Sequence, residues 1–235
     1  MRGLFITGTD TGAGKTALSA ALLAAIVAAG EPVRAYKPVV TGVEAAPEAI
    51  THQPNVWPPD HELLADAAGM DSNAVSPLRY APAVSPHLAA ALAGERIDPA
   101  QLLLTARGAT DQISIVEGVG GLLVPLTEDY SVRDFAIELG LPLVVAARAG
   151  LGTINHTLLT LEAARAAQLD VRAVVLTPWP EEPSVMERSN RETIARLGAV
   201  EVHGLEHLPS PDRDGLARAG ARLPWRRWLA KESLN

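Results

Sequence analysis

The segment 8–16, with the sequence GTDTGAGKT, constrains the fold of this chain more than any other. It follows the apolar segment 4–7, which predicts a buried strand, and it leads into an Ala- and Leu-rich segment at 15–29, which predicts a helix that ends at Gly30. Glycines between a strand and a helix let backbone N–H groups turn inward around phosphate oxygens, at the positive end of the helix dipole. The segment therefore predicts a phosphate-binding loop inside an α/β fold.

Two side chains at the end of this loop have the chemistry to act on a triphosphate. In such loops a lysine at the position of Lys15 reaches the β and γ phosphates, and a hydroxyl at the position of Thr16 ligates Mg²⁺. The common form has four residues between its two glycines, whereas five separate Gly8 from Gly14. This spacing indicates a subfamily of phosphate-loop proteins.

Short apolar segments alternate with helical segments along the rest of the chain. Further strands are predicted at 33–37, 113–116, 143–147, 171–176 and 200–204, and further helices at 60–68, 86–93, 99–107, 131–139, 153–167 and 184–197. Because these strands are continuously apolar, we expect a parallel sheet with helices on both faces, the fold of P-loop nucleoside triphosphatases. Prolines in 38–59 predict an extended loop there. In the absence of repeats and linkers we predict one domain over 1–235, whose charged tail at 210–235 packs loosely or wraps the surface.

Composition excludes several classes of function. The net charge is −7 and no basic tract occurs, so we expect no nucleic-acid partner. The chain has no cysteine, which excludes disulfides, thiolate metal sites and a cysteine nucleophile, and which fits a reducing cytoplasm. The apolar run at 17–29 is too short to cross a bilayer, so we interpret it as a buried helix and expect no membrane partner.

Lys37 is a candidate for binding an anionic substrate. The chain has 17 Arg and 3 Lys, so a lysine at the end of the second predicted strand indicates a narrow site where arginine does not fit. The carboxyl end of a parallel strand faces the ligand crevice, where Lys37 would stabilise charge during phosphoryl transfer and Thr41 would hydrogen-bond the same substrate. The alternative is a solvated surface lysine.

Two carboxylates are candidate metal ligands. Glu117 follows the strand 113–116 and precedes glycines at 118, 120 and 121, which allow close approach of a substrate. An acid at this position is the natural partner of Thr16 around Mg²⁺. The alternative for Glu117 is an exposed side chain in a glycine turn. Asp60 is either a second ligand or the N-cap of a helix.

Four segments together resemble dethiobiotin synthetases: 8–16, 37–42 (KPVVTG), 117–125 (EGVGGLLVP) and 152–157 (GTINHT), in this order. The resemblance covers about residues 1–205. It implies a ligase of biotin biosynthesis that forms C–N bonds. In that reaction CO₂ adds to one amine of 7,8-diaminononanoate, ATP phosphorylates the carbamate, and the second amine closes the ureido ring of dethiobiotin.

The resemblance also implies site residues, with ATP and Mg²⁺ as cofactors. The catalytic residues would be Thr11, Lys15 and Lys37, and the metal ligands Thr16, Asp60 and Glu117. The nucleotide would contact Thr9, Asp10, Thr11, Gly12, Ala13, Gly14, Lys15, Thr16, Glu117, Thr177, Leu208 and Pro209. The substrates, diaminononanoate with CO₂ or bicarbonate, would contact Thr11, Lys37, Thr41, Gly120, Leu151, Gly152, Thr153, Ile154 and Asn155. In the family the segment 151–155 belongs to the neighbouring subunit, which implies a cytoplasmic homodimer with its site at the interface; His156 is expected to face the core.

One departure concerns the nucleotide base. Relatives often carry an Asn that reads adenine after the strand 171–176, and here that position is Thr177. We therefore hypothesise that base selectivity is weak and that other nucleoside triphosphates serve.

Three alternatives belong to the same superfamily. An amide-forming ligase of the cobyrinate synthase type usually carries a further domain with a cysteine, which is absent. Partitioning and septum-site ATPases place a lysine early in the loop, where this chain has Thr9, Asp10 and Thr11. A non-catalytic nucleotide-sensing module would keep the fold and lose the catalytic groups, so the retention of Lys15, Thr16, Lys37 and Glu117 favours catalysis.

Overall fold

The computed structural model describes residues 1–43, 57–108 and 111–230. Its strands are β1 (Arg2–Gly8), β2 (Val33–Tyr36), β3 (Val39–Thr41), β4 (Leu78–Tyr80), β5 (Ile113–Gly121), β6 (Leu143–Ala147), β7 (Val171–Trp179) and β8 (Glu201–Glu206). Its helices are α1 (Lys15–Ala28), α2 (Asp60–Ala68), α3 (Ser72–Val75), α4 (Pro86–Leu92), α5 (Pro99–Arg107), α6 (Val132–Leu139), α7 (Thr153–Ala166), α8 (Val185–Gly198), α9 (Arg213–Ala221) and α10 (Trp225–Leu229). Most of the proline-rich loop expected at 38–59 and the last residues of the tail lie outside the described residues.

Six strands form one sheet in the order β2-β5-β1-β6-β7-β8, and every neighbouring pair is parallel. The predicted parallel sheet is therefore confirmed. Strands β2 and β5 lie on one side of β1 in this sheet, and β6, β7 and β8 lie on its other side. The order in which strands are added to the sheet therefore reverses its direction between β5 and β6. This reversal of direction lies beside β1, and in open α/β sheets it opens a crevice at the carboxyl ends of the strands.

Alternating residues of each strand enter two separate cores, one on each face of the sheet. On β1, Leu4 and Ile6 pack with α1, whereas Phe5 packs on the other face against Phe135 of α6. Leu4, Phe5 and Ile6 are all fully buried, which explains why the sequence of β1 is continuously apolar and does not alternate. The expectation of helices on both faces is confirmed.

The expectation of a loosely packed tail is wrong for the described residues. Helices α9 and α10 pack into the same core as α1, with Leu216 0% exposed and Trp225 and Trp228 2% exposed each. The contact with α1 is close, because a Cβ added to Gly220 would lie 2.0 Å from the carbonyl oxygen of Ala21. The charged residues of the tail occupy the outer face of amphipathic helices, and composition alone does not reveal that arrangement.

Besides α9 and α10, three short elements were not predicted. Strands β3 and β4 pair with each other in parallel, and α3 is a single turn with Asp71 as its N-cap. Segments of three or four residues are too short to show a hydrophobic period. No helix in the described part of the chain has the length and apolar character needed to cross a membrane.

The packing of α9 predicts a stability effect. Leu216→Ala removes a fully buried side chain and should lower the free energy of unfolding by about 2–5 kcal/mol. Leu104→Ala on α5 is the matched control, because Leu104 is 66% exposed, and its cost should stay below about 1 kcal/mol. Urea denaturation measures both; equal losses in the two variants would contradict the described packing of the tail.

Candidate active site

The backbone of the segment 8–16 depends on its glycines. Gly12 and Gly14 have φ of 70° and 88°, in the left-handed region that favours glycine. Space is also restricted at Gly14, where an added Cβ would lie 2.3 Å from Cγ2 of Thr177. Any other residue at this position would both strain the backbone and displace Thr177.

The loop offers free N–H groups at the start of α1. Within the described residues, the N–H groups of Gly12, Ala13 and Gly14 donate no hydrogen bond to the protein, whereas that of Thr11 donates to Asp10 Oδ1 at 2.7 Å. Helix α1 has no side-chain cap and no acidic residue in its first turn. Unpaired N–H groups at a helix N-terminus attract an anion, so this geometry suits a phosphate.

Lys15 is buried inside the loop. It is 6% exposed, and its Nζ donates to the carbonyl oxygen of Asp10 at 3.0 Å. Burial lowers the pKa of Lys15, while the carboxylate of Glu117 opposes this shift and the charge of Lys37 adds to it. The ammonium group also lies near the end of β1, because a Cβ at Gly8 would be 3.0 Å from it.

Lys37 lies in a buried charge cluster, which excludes the solvated surface lysine. It is 3% exposed, and its Nζ donates to Glu117 Oε1 at 2.6 Å and to Asp60 Oδ2. Burial disfavours the charge on Lys37, but the carboxylates of Glu117 and Asp60 outweigh burial and raise its pKa. Burial likewise opposes ionisation of Asp60, yet Lys37 outweighs it and lowers the pKa of that carboxyl.

The oxygen atoms around Lys37 fit a divalent cation. Glu117 is 0% exposed, so the alternative of an exposed glutamate is wrong, and its Oε1 accepts from Thr16 Oγ1 at 2.9 Å. Its second oxygen, Oε2, is buried without a hydrogen-bond partner, which leaves it available to a ligand. Asp60 is the first residue of α2, whose N-cap is Pro59, so Asp60 is not the N-cap.

The described residues contain no group of three or more His, Cys, Asp and Glu side chains placed to hold a metal. Thr16, Asp60 and Glu117 are therefore a small set of protein oxygens. Mg²⁺ usually binds through one or two carboxylates and completes its shell with water and phosphate oxygens. The set fits Mg²⁺ beside a bound triphosphate.

The end of β5 approaches the loop closely. Gly120 has φ of 61°, and an added Cβ would lie 3.8 Å from Thr11 Oγ1. A Cβ at Gly121 would lie 3.4 Å from the carbonyl oxygen of Gly8. Thr41 ends β3, four residues after Lys37.

The segment 151–155 forms the start of α7. Leu151 is 93% exposed and Gly152 has φ of 87°, whereas the Thr153 side chain is buried 3.4 Å from the hydroxyl of Thr157. Ile154 is partly buried and Asn155 is exposed. The expectation that His156 faces the core is wrong, because His156 is exposed.

His156 lines a groove of about 440 Å³ between the phosphate loop, the end of β5 and α7. The groove is lined by Thr9, Asp10, Gly121, Leu122, Leu123, Val124, Pro125, His156, Leu159, Thr160 and Ala163. Most of these residues were not predicted as site residues, although 121–125 belong to the segment 117–125 that the sequence singles out.

The three residues expected near the nucleotide base lie in different environments. Thr177 is 4% exposed and packs against Gly14, so its side chain supports the phosphate loop. Leu208 belongs to the core that includes α1, whereas Pro209 is exposed.

Arg148 and Asn190 were missed by the sequence analysis. Arg148 directly follows β6, and its guanidinium donates to the carbonyl oxygens of Thr11 and Gly12. Asn190 of α8 is buried, and its Nδ2 donates to the carbonyl oxygens of Ala149 and Gly150 at 3.0 and 3.2 Å. The position of Arg148 at a strand end is a sequence signal for the ligand crevice, but nothing in the sequence distinguishes Asn190 from other polar residues of its helix.

Comparisons with known proteins agree on the class of this site. A family model described as an AAA domain matches residues 2–211. The ATP-dependent dethiobiotin synthetase BioD of Anaeromyxobacter sp. (strain K) is 43% identical over 201 residues, which cover 84% of this chain and 86% of that protein. The protein of the same name from Haloferax mediterranei is 35% identical over 224 residues, with 93% and 90% covered. That of Mycobacterium sp. (strain JLS) is 40% identical over 202 residues, with 84% of each chain covered.

Solved structures share the fold. Apo McdA of Cyanothece has a TM-score of 0.52 at 14% identity, covering 93% of this chain and 90% of its own. A chain of the MinC:MinD cell division protein complex of Aquifex aeolicus has a TM-score of 0.51 at 13% identity, covering 93% and 86%. At this identity the likeness supports the architecture alone.

The charge cluster predicts a measurable titration. Among the groups that raise the pKa of Lys37, the carboxylate of Glu117 has the largest effect. Glu117→Gln removes that negative charge, so the pKa of Lys37 should fall. The chain contains three lysines, Lys15, Lys37 and Lys231, so ¹³Cε signals of labelled lysine can be resolved and followed against pH. Asp66→Asn, an exposed carboxylate on α2, is the control. If the Lys37 titration is the same in both variants, the described contact with Glu117 does not exist in solution.

Proposed function

Because the chain belongs to the dethiobiotin synthetase family, we propose that it uses ATP to close the ureido ring of dethiobiotin, a step of biotin biosynthesis. The observation that carries the proposal is the buried ammonium group of Lys37. It donates to the same oxygen of Glu117 that accepts from Thr16 of the phosphate loop. A second cation next to such a loop suits a reaction that brings two anions together.

The chemistry requires little covalent participation by the protein. One amine of 7,8-diaminononanoate takes up CO₂ to give a carbamate, whose oxygen attacks the γ-phosphorus of ATP while ADP leaves. The second amine then attacks the carbon of the mixed anhydride, the ring closes, and phosphate leaves. The nucleophiles belong to the substrate, so positioning and charge stabilisation are the tasks of the enzyme.

We assign these tasks to three side chains. Lys15 and Lys37 stabilise the phosphate and carbamate oxygens, and the hydroxyl of Thr11 orients the carbamate. Lys15 and Lys37 are both buried, so their charges act with little screening by solvent. The hydroxyl of Thr11 lies close to Gly120, because a Cβ added to that glycine would be 3.8 Å from Thr11 Oγ1.

We propose that Thr16, Asp60 and Glu117 hold Mg²⁺. The partnerless Oε2 of Glu117 and the hydroxyl of Thr16 support this assignment. When bound, Mg²⁺ neutralises charge on the phosphate oxygens. Lys37 balances the charge of the same two carboxylates, which links cation binding to the position of Lys37.

We also propose a homodimer. The tail carboxylate of the diamine would bind the segment 151–155 of the second subunit, with Thr41 of the first subunit on the other side of the substrate. The exposed apolar side chains of Leu123, Leu151 and Leu159 near the start of α7 support an interface there. A cytoplasmic location is part of the proposal, since ATP is supplied there.

The other candidate functions are not favoured. Relatives named dethiobiotin synthetase match 84% or more of this chain and 84% or more of their own length. A nucleotide-sensing module would also gain nothing from burying Lys37 and Glu117 beside the loop.

The packing of Thr177 leads to a prediction about the nucleotide. Its side chain supports Gly14, so this position offers no amide to read adenine, and we propose that CTP and GTP replace ATP with less than about a ten-fold loss of kcat/KM. Steady-state turnover with the three nucleotides tests this. A preference for ATP far above ten-fold would refute weak base selectivity and leave the reaction itself untouched.

Lys37→Ala tests the mechanism. It should lower kcat about 10²–10³-fold and change nucleotide affinity less than about three-fold, because its contact matters most as charge shifts in the transition state. Dethiobiotin is measured by mass spectrometry, and phosphate release should require both the diamine and bicarbonate.

Arg96→Ala, an exposed residue on the segment between α4 and α5, is the control and should retain wild-type turnover. Wild-type turnover in Lys37→Ala would remove Lys37 from the mechanism. Phosphate release that ignores the diamine, with no dethiobiotin formed, would refute the proposed function.

A further inference from the structure

The guanidinium group of Arg148 lies against the outer side of the phosphate loop. Its Nε donates to the carbonyl oxygen of Gly12 at 3.2 Å, and its Nη2 donates to that of Thr11 at 3.4 Å. These two carbonyl groups are consecutive in the loop, and no other side chain of the described residues donates to them.

Gly12 leaves the space that the guanidinium occupies. A Cβ added to Gly12 would lie 2.9 Å from Nη2 of Arg148. Gly12 therefore has two constraints: a φ of 70°, which disfavours other residues, and direct contact with the arginine side chain. The close fit indicates a defined position for Arg148.

The planarity of the peptide group gives this contact a consequence for phosphate binding. The carbonyl of Thr11 shares its peptide plane with the N–H of Gly12, and the carbonyl of Gly12 shares its plane with the N–H of Ala13. In a trans peptide the C=O and N–H groups point in opposite directions. Because the guanidinium of Arg148 holds both carbonyl groups toward itself, the N–H groups of Gly12 and Ala13 point away from Arg148. Those N–H groups have no protein acceptor within the described residues.

The backbone that carries Arg148 is itself fixed. Arg148 follows β6, whose last residue Ala147 pairs with Leu176 of β7. The next two carbonyls, of Ala149 and Gly150, accept from the buried amide of Asn190. The side chain therefore extends from a rigid support, although its end is exposed to solvent.

We propose that Arg148 is a positioning residue for phosphate binding, which holds two peptide planes of the loop so that the N–H groups of Gly12 and Ala13 face the phosphates. The proposal rests on the proposed function to the extent that the loop binds a nucleotide. The fork of the guanidinium reaches two acceptors at once, whereas a lysine ammonium on a flexible stem acts as a point charge.

Calorimetric titration of the full chain with ATP and MgCl₂ tests the proposal. Arg148→Ala should weaken ATP binding about ten-fold, because two charge-assisted hydrogen bonds to the loop are lost. Arg148→Lys should give an intermediate affinity. In the same variants KM for the diamine should stay within about two-fold and the thermal unfolding midpoint should not change, because the side chain is exposed.

Arg188→Ala is the matched control. Arg188 is also exposed and also donates to a backbone carbonyl, that of Pro183, but it lies on α8 away from the loop. This variant should bind ATP as the wild type does.

Each other outcome overturns the proposal. Wild-type ATP affinity in Arg148→Ala shows that the loop needs no such support, and wild-type affinity in Arg148→Lys shows that charge alone suffices. A parallel loss of ATP affinity, diamine binding and thermal stability indicates a general structural role. If the wild type itself fails to bind ATP, the proposed function fails first and this inference with it.

Discussion

The buried carboxylate of Glu117 joins the segments that surround the candidate site. It lies where the regular pairing of β5 with β1 ends, accepts from Thr16 at the start of α1, and contacts Lys37 directly after β2. Lys37 in turn contacts Asp60, the first residue of α2. Removing one partner from such a buried pair commonly costs roughly 3–5 kcal/mol, because the other charge stays buried without compensation. A fold that needed only stability has apolar alternatives of similar volume, so the cluster is best understood through the anions it is proposed to handle.

The phosphate loop illustrates how several elements determine one small piece of backbone. Its glycines permit the positive φ values, but the conformation also depends on contacts from elsewhere in the chain. Thr177 of β7 packs against Gly14 from one direction, and Arg148 contacts Gly12 from another. Both residues lie just after or near the ends of neighbouring parallel strands, so the sheet brings them to the loop although they lie far away in sequence.

The tail shows a different limit of sequence reasoning. Arginines and acidic residues are interspersed among the apolar residues after 210, which gives the segment a charged appearance. Leu216, Trp225 and Trp228 nevertheless complete the core on the face of α1, where several alanines leave room for another helix. The small side chains of α1 thus allow the close approach of α9, where a Cβ added to Gly220 would lie 2.9 Å from Cβ of Ala25.

The sequence by itself determined the phosphate loop, the alternation of strands and helices, and the candidacy of Lys15, Lys37 and Glu117, because each rests on local spacing or on periodicity within one element. Only the tertiary structure decided that Lys37 is buried against Glu117 and that His156 faces a groove. It also decided that Arg148 donates to the phosphate loop and that Asn190 donates to the residues that follow Arg148. These contacts join residues separated by 80, 136 and 41 positions in the cases of Lys37, Arg148 and Asn190. Local pattern carries no information on such pairs, because the order of strands in the sheet, and not distance along the chain, determines which side chains meet.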